Sequence, residues 1–283
     1  MSAITNKIDF AALISVNMAN SNGDPLNGNR PRTDYNGFGE ISDVCIKRKI
    51  RNRMQDLGHS IFVQSDERAD DGYKSLSDRA STELKGIKDK DEYAKAACEK
   101  WLDVRSFGQV FAFKSNEASG VSVGVRGPVS LHQAVSLSPV EVQSIQITKS
   151  VNSETTKDGK KSSDTMGQKH FVRFGLYLLK GSINVQLAEK TGFSDADADI
   201  IMECLRTLFV NDASSARPEG SMEVCKLYWW KHNCKDGQYS SAKVHRSLKV
   251  NLKEGVDVPT SADDYEITLE TLPGLEPEVI KGV

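Results

Sequence analysis

Two strand–helix–strand blocks, set apart by long polar insertions, constrain this chain more than any other feature of its sequence. The first apolar run, Ile8-Asp-Phe-Ala-Ala-Leu-Ile-Ser-Val16, is too short to span a bilayer and is interrupted by Asp9, so it predicts a buried strand. A polar loop rich in Asn and Gly follows, from Asn17 to Glu40. Ser42 then caps a predicted helix, with Asp43 in the first turn, where the helix dipole favours a carboxylate. Ile46, Ile50, Met54 and Leu57 form one stripe at helical spacing, and Gly58 ends it. Ile61-Phe-Val63 predicts the next strand. The second block runs from a strand or hairpin over Phe171 to Val185, through a helix, to a strand over Met222 to Trp230. Its helix opens on a capping-box-like pair, Ser194 and Asp197, and carries the stripe Ile201, Leu205, Leu208 and Phe209. This order is the split βαβ arrangement of ferredoxin-like and RNA-recognition folds, and it predicts an α+β class.

The insertions differ in character. Residues 65–100 hold ten acids and eight bases with few large apolar groups, which predicts a solvated helical insertion. Trp101-Leu102, Phe107-Gly108 and Val110-Phe111 restore core character, and Val121-Ser-Val-Gly-Val125 alternates as a strand does. Between Lys149 and Lys169 the only sizeable apolar residues are Val151 and Met166. Connections of that length are usually functional or disordered. The reading is one domain over residues 1–283 with insertions at 65–100 and 149–169.

Hydrophobic residues make up 38 % of the chain and charged residues 27 %, a soluble globular balance. With no basic-then-apolar leader at the start, a cytoplasmic protein without a membrane partner is expected. Five cysteines without a Cys-x-x-Cys pair read as reduced thiols. Cys225, His232, Cys234 and His245 match no common zinc spacing, so no metal is expected. No Gly-x-Gly-x-x-Gly follows the first strand, which argues against a dinucleotide enzyme and leaves no cofactor expected. The net charge of −2 does not exclude nucleic acid, because the charge is segregated. Residues 42–53 hold five Lys/Arg against one Asp, residues 149–173 hold six against three acids, and residues 254–283 hold eight acids against one Lys. With a Debye length of about 8 Å, a polymer making local contacts responds to the local field.

On the helix 42–57, Lys47, Arg48 and Arg51 lie on one side of the apolar stripe, and Lys49 and Arg53 on the other. Lys47 and Arg51 are a like-charge i,i+4 pair, mildly unfavourable unless an anion lies across them; the plain alternative is a solvated basic face. In the preceding loop, Asn22 to Asp34, glycines permit close backbone approach, and Asn27, Asn29, Arg30 and Arg32 supply donors for phosphates and base edges. Arg126 precedes Gly127-Pro128 at a strand end, suited to clamping a phosphate, whereas Arg105 reads as an ion-pair partner of Asp103 or another acid. One of Trp229 and Trp230 should be core. His170, beside Lys169, reads equally as an RNA contact or as an inconsequential surface histidine.

The run Asn22-Gly-Asp-Pro through Asn27-Gly-Asn-Arg-Pro-Arg to Ser42-Asp-Val-Cys-Ile-Lys-Arg-Lys-Ile-Arg-Asn52 closely resembles the signature of the type I-C Cascade backbone subunit, of the CRISPR-associated "Cas seven" superfamily. Asp103-Val-Arg-Ser-Phe-Gly-Gln-Val-Phe111, Gly124-Val-Arg-Gly-Pro-Val-Ser130 and Leu137-Ser-Pro-Val with Ile147-Thr148 resemble the same family. The resemblance implies an RNA-recognition-like palm, helical fingers at 65–100 and a thumb at 149–169. It also implies a subunit that oligomerises along a CRISPR guide RNA and supports recognition of target DNA. The implied partners are the guide RNA, target DNA paired to it, other copies of the chain, and the guide-processing end subunit and large subunit of Cascade. Beyond the loop and helix residues and Arg126, the thumb would add Thr148, Lys149, Lys160, Lys161, Lys169 and His170, with Met166 as a wedge between bases. No aromatic pair of the kind used by RNA-recognition sheets is evident.

Two rival readings stand beside this one. Related type III subunits cut RNA with an aspartate in the loop after the first strand, where Asp24 and Asp34 lie here; Asp24-Pro25 reads equally as turn chemistry, and no His–Lys–Tyr set accompanies either acid. A plain protein filament module is disfavoured by the single-sign basic helix.

Overall fold

The computed structural model describes residues 2–112, 122–149 and 166–283. From the N-terminus come β1 (Ile8–Ala19), β2 (Gly23–Asp24), β3 (Arg30–Pro31), β4 (Phe38–Ile41) and α1 (Asp43–Asp56). Then follow α2 (Leu76–Glu83), α3 (Lys90–Lys100), α4 (Leu102–Phe107), β5 (Gly108–Phe111) and β6 (Val123–Arg126). β7 (Val129–Leu131), β8 (Ala134–Pro139), β9 (Val142–Thr148) and β10 (Met166–Ile183) lead to α5 (Val185–Thr191) and α6 (Asp195–Arg206). The chain closes with β11 (Met222–Lys231), α7 (Ser241–Ser247), β12 (Leu248–Leu252), β13 (Tyr265–Leu269) and β14 (Glu278–Lys281).

The apolar run at the start becomes β1 at the centre of an eight-stranded sheet ordered β14-β11-β1-β10-β8-β4, with β7 and β9 also paired to β10. β1 runs antiparallel to β10 from Ile8↔Ile183 to Ala19↔Val172, and antiparallel to β11 from Ile8↔Lys231 to Val16↔Met222. Side chains alternate across a strand, so a run that is apolar at nearly every position must be covered on both faces. Phe10, Ala12, Ile14 and Val16 pack with Ile46, Ile50 and Met54 of α1 and Ile201 and Leu205 of α6. Ala11 and Leu13 share a second core with Leu176, Tyr228, Trp230, Val244 of α7, Leu248 of β12 and Tyr265 of β13. That second cover fills the face which an RNA-recognition sheet leaves open. Trp229 and Trp230 are both buried, one in each core, and Trp229 stacks on Phe10 with ring centroids 5.3 Å apart.

Asp9, the one charge in the run, is buried and held by His232 Nε2 at 2.9 Å and Lys7 Nζ at 3.2 Å. The Gln238 amide donates to His232 Nδ1 at 2.9 Å, so the ring proton lies on Nε2 and points at Asp9. Burial alone would raise the Asp9 pKa, but these partners outweigh it and hold the carboxyl below its ordinary value. His245 bonds the Gly181 carbonyl at 3.1 Å.

Two expected elements differ. Ile61-Phe-Val63 forms no strand, because the amides of Phe62 and Val63 donate to the buried Asp103 carboxylate at 2.6 and 3.1 Å instead of to a neighbouring strand. The stretch expected as a strand or hairpin from Phe171 is a single strand that begins at Met166 and ends at Ile183, and Val185 already belongs to α5. Residues 65–100 contain a short 3-10 turn, α2 and α3, and they are not merely solvated: Ala80, Leu84, Ala97 and Cys98 share a third core with Phe62, Trp101 and Phe111.

Asp103 joins this third core to the sheet, since its carboxylate also accepts from Arg51 Nε at 2.9 Å. Removing one partner of a buried pair strands the other charge, at a cost of about 3–5 kcal/mol. Urea unfolding of Asp103→Ala should therefore show a loss of about that size, whereas Arg126→Ala, at an exposed strand end, should stay within about 0.5 kcal/mol. Coincident midpoints for the two variants would contradict this role for Asp103.

Candidate nucleic-acid interface

β1 pairs with β10 only as far as Val172, and for the remaining residues, Met166 to Phe171, β9 is the only paired strand among the described residues. At about 3.3 Å per residue, those six residues carry a two-stranded arm about 20 Å past the sheet. Facing pairs are Thr148↔Met166, Gln146↔Gln168 and Ser144↔His170 on one side, and Ile147↔Gly167 and Ile145↔Lys169 on the other. Met166 is 64 % exposed, Ile145 44 % and Ile147 48 %, an unusual run of apolar groups left in water on so narrow an element. Gln146 Nε2 lies 2.9 Å from the Met166 sulfur. Lys149 is exposed where β9 ends, and Lys169 is half-buried. Lys157, Lys160 and Lys161, and most of the expected thumb, lie outside the described residues.

The loop after β1 packs at the root of this arm. Arg30 donates to Ser144 Oγ at 2.7 Å, and the same hydroxyl meets His170 Nδ1 at 2.8 Å, so loop, β9 and β10 converge on one serine. His170 is therefore a buried tie inside the fold rather than a surface group. The loop is ordered by its own polar side chains. Asn20 Nδ2 donates to the Asn29 carbonyl at 2.7 Å, and Asn22 Oδ1 accepts from the amide and hydroxyl of Ser42, both at 2.9 Å, fixing the loop to the cap of α1. At Gly23 a Cβ would fall 2.0 Å from Asn29 Oδ1, so any larger residue there would displace the Asn29 side chain. Asn27 and Asn29 are exposed at the tip.

Both loop aspartates are turn formers. Asp24 accepts from the Leu26 amide and from Arg32 Nη2, each at 3.2 Å. Asp34 accepts from the amides of Asn36 and Phe38, each at 2.8 Å. Neither is hydrogen-bonded to a histidine or lysine among the described residues.

The basic helix behaves differently from its sequence reading, because most of its charges point into the protein. Lys49 is buried and paired with Asp212; burial drives its ammonium pKa down, and the carboxylate offsets part of that. Arg51 is occupied by Asp103, with Phe107 under its guanidinium at 5.2 Å. Arg53 bonds Thr207 Oγ1 at 3.1 Å and Asp56 at 2.8 Å. Arg48 donates to the Val63 carbonyl at 2.6 Å, and Lys47 pairs with Asp43 at 3.1 Å. Replacing Lys47, Arg48 and Arg51 with glutamate would therefore not spare the fold, since a carboxylate at position 51 would face the buried Asp103. Arg105 is held by both oxygens of Asp197, at 2.9 and 2.8 Å, rather than by Asp103. Burial would raise the Asp197 pKa, but Arg105 and Ser194 outweigh it and hold it below the ordinary value.

Of the expected site residues, Arg30, Thr148, Lys149, Met166, Lys169 and His170 come together on the arm and its root, with Asn27, Asn29 and Arg32 on the adjoining loop. Arg126 is exposed at the end of β6, beside Gly108 rather than on the arm. Ile145 and Ile147 were not anticipated; their period-two spacing in a polar stretch is the signal that marks them.

The architecture is that of a mixed α/β protein built on one large antiparallel sheet with a projecting strand pair. A solved chain described as "CRISPR RNA-guided surveillance complex, pre-nicking" shares this fold, with a TM-score of 0.52 and 16 % identity over 89 % of this chain and 84 % of that one. The chain belongs to the family of CRISPR-associated protein Cas7, whose model matches residues 6–270. A CRISPR-associated protein Cas7 of Haloferax volcanii is 27 % identical over 213 residues, which cover 69 % of this chain and 61 % of that relative. No helix among the described residues is long and apolar enough to cross a membrane.

Proposed function

We propose that this chain is a non-catalytic backbone subunit of a type I-C surveillance complex. Copies of it line a CRISPR guide RNA in the cytoplasm, alongside the end and large subunits, and expose the guide to target DNA. The observation that carries this reading is the β9–β10 arm, with Met166, Ile145 and Ile147 exposed along it, Lys149 and Lys169 on it and Arg30 at its root. Apolar groups on a stiff two-stranded arm suit a wedge between bases, and the cations beside them suit the phosphates. The strand order β11-β1-β10-β8 around two crossing helices supports an RNA-recognition-like palm, with α2 and α3 as fingers. Its sheet takes no part in stacking, because α7, β12 and β13 cover it. Of the α1 cations, Lys47 at the helix start remains the one most open to exchanging its intramolecular partner for phosphate.

Arg30→Ala, Lys169→Ala and Arg126→Ala should each weaken binding of single-stranded RNA and reduce the slope of log affinity against log salt by about 0.7 per lost phosphate contact. Lys169→Ala and Arg126→Ala should keep the wild-type melting temperature, whereas Arg30→Ala also gives up its bond to Ser144. Wild-type affinity and slope in Arg30→Ala and Lys169→Ala would remove the interface from the arm, and in Arg126→Ala from the end of β6.

The nuclease reading rests only on the place of Asp24 and Asp34 in the first loop. Complementary RNA incubated with magnesium and the assembled complex should stay whole. Regularly spaced cleavage that disappears in Asp24→Asn or Asp34→Asn, which keep an acceptor for each turn, would establish catalysis instead.

A further inference from the structure

Tyr35 is the only Phe, Tyr or Trp among the described residues that lies on the surface, with its side chain 109 % exposed. Of the other rings, Tyr177, Tyr228, Tyr265 and all three tryptophans are buried, and the half-buried Tyr73 and Tyr239 hydrogen-bond through their hydroxyls to Glu83 and the Pro273 carbonyl. A ring left in water on a loose loop would mean little, but this one stands on a fixed turn. Asp34 Oδ1 accepts from the amides on either side of the apex, those of Asn36 and Phe38, at 2.8 Å each. The Asp34 amide donates to the Phe38 carbonyl at 2.9 Å, and Thr33 bridges to Gly39 below it. Gly37, at φ +84°, closes the turn, and its carbonyl accepts from the Val140 amide at 2.8 Å, which fastens the turn to the corner between β8 and β9. The arm begins two residues further on.

We propose that Tyr35 is a stacking post for one unpaired nucleobase of the bound RNA. The proposal rests on the RNA-binding reading above and adds a contact that no basic residue supplies. Aromatic side chains bind every base through its face, independent of sequence, and a turn already rigid loses little freedom when it does so. The surroundings favour a base over a protein partner. An aromatic anchor of a protein interface sits inside an apolar patch, whereas Tyr35 is flanked by Asp34, Asn36 and Gly37. Of the nearby acids, Asp24 is paired with Arg32, and the charge on Asp34 is partly offset by the two amide dipoles that point at it. Arg30, whose partner Ser144 is uncharged, lies at the adjoining root of the arm.

The test uses the full chain and a fluorescein-labelled single-stranded RNA of mixed sequence, short enough for one copy. Tyr35→Ala should weaken binding about 5- to 150-fold, while Tyr35→Phe and Tyr35→Trp retain it. The salt slope should not change, because no phosphate contact is lost. Placing an abasic site at successive positions of the probe should weaken wild-type binding at one position and add nothing there in Tyr35→Ala. If wild type binds and Tyr35→Ala binds equally, the stacking post is refuted while the RNA reading stands. If wild type binds no RNA, both fall. If Tyr35→Ala binds the short probe normally but fails to form multi-copy assemblies on long RNA, the ring belongs to a protein contact and the proposal is wrong.

Discussion

β10 is eighteen residues long and β1 is twelve, and the arm exists because of that difference. Where both strands are present, β10 is locked by ladders on its two edges and by cores on both faces of the sheet. Past Val172 it continues with β9 as its only paired strand among the described residues. An isolated two-stranded ribbon is marginal in water, so the arm draws its direction and stiffness from the part of the strand that is buried. Arg30, Ser144 and His170 brace it at the point where the support ends. A surface that must hold a flexible polymer in register gains from such an anchor, because the order is supplied by the core and not by the ligand.

The charges of α1 show how the same residue type can serve either structure or binding. Five bases in twelve residues look like a phosphate track, yet α1 lies between the sheet and the third core and meets acids on both sides. Lys49 meets Asp212, Arg51 meets Asp103 and Arg53 meets Asp56. Buried ion pairs of this kind add little net stability, but they are intolerant of losing one member, and two of them tie α1 to its surroundings, Lys49 to Asp212 after α6 and Arg51 to Asp103 of α4.

Local patterns in the sequence identified the elements they determine. Ser42 and the Ser194–Asp197 capping box open α1 and α6 where expected, and the apolar stripes of both helices are buried except for Leu57, which caps the end of α1 and is 40 % exposed. The loop glycines and asparagines, read as points of close backbone approach and as donors, lie in a loop that its own side chains order at the root of the arm. What periodicity could not reveal were partners distant in sequence: that Asp103 would take the amides of Phe62 and Val63, that Arg105 would choose Asp197, or that α7 and β12–β13 would close the second face of the sheet. Exposure of a single ring is equally invisible, since Tyr35 in a polar loop reads the same whether it folds inward or stands in solvent. The family blocks added fold and function together because they combine local signals with the long-range partners those signals lack.

The central claim is that this chain holds guide RNA, and the most direct measurement is to purify it from cells producing CRISPR transcripts and sequence the RNA that remains bound. The account predicts short RNAs of uniform length carrying repeat-derived ends, protected at regular intervals along the spacer. Bulk cellular RNA without repeat sequence, or no RNA at all, would contradict it.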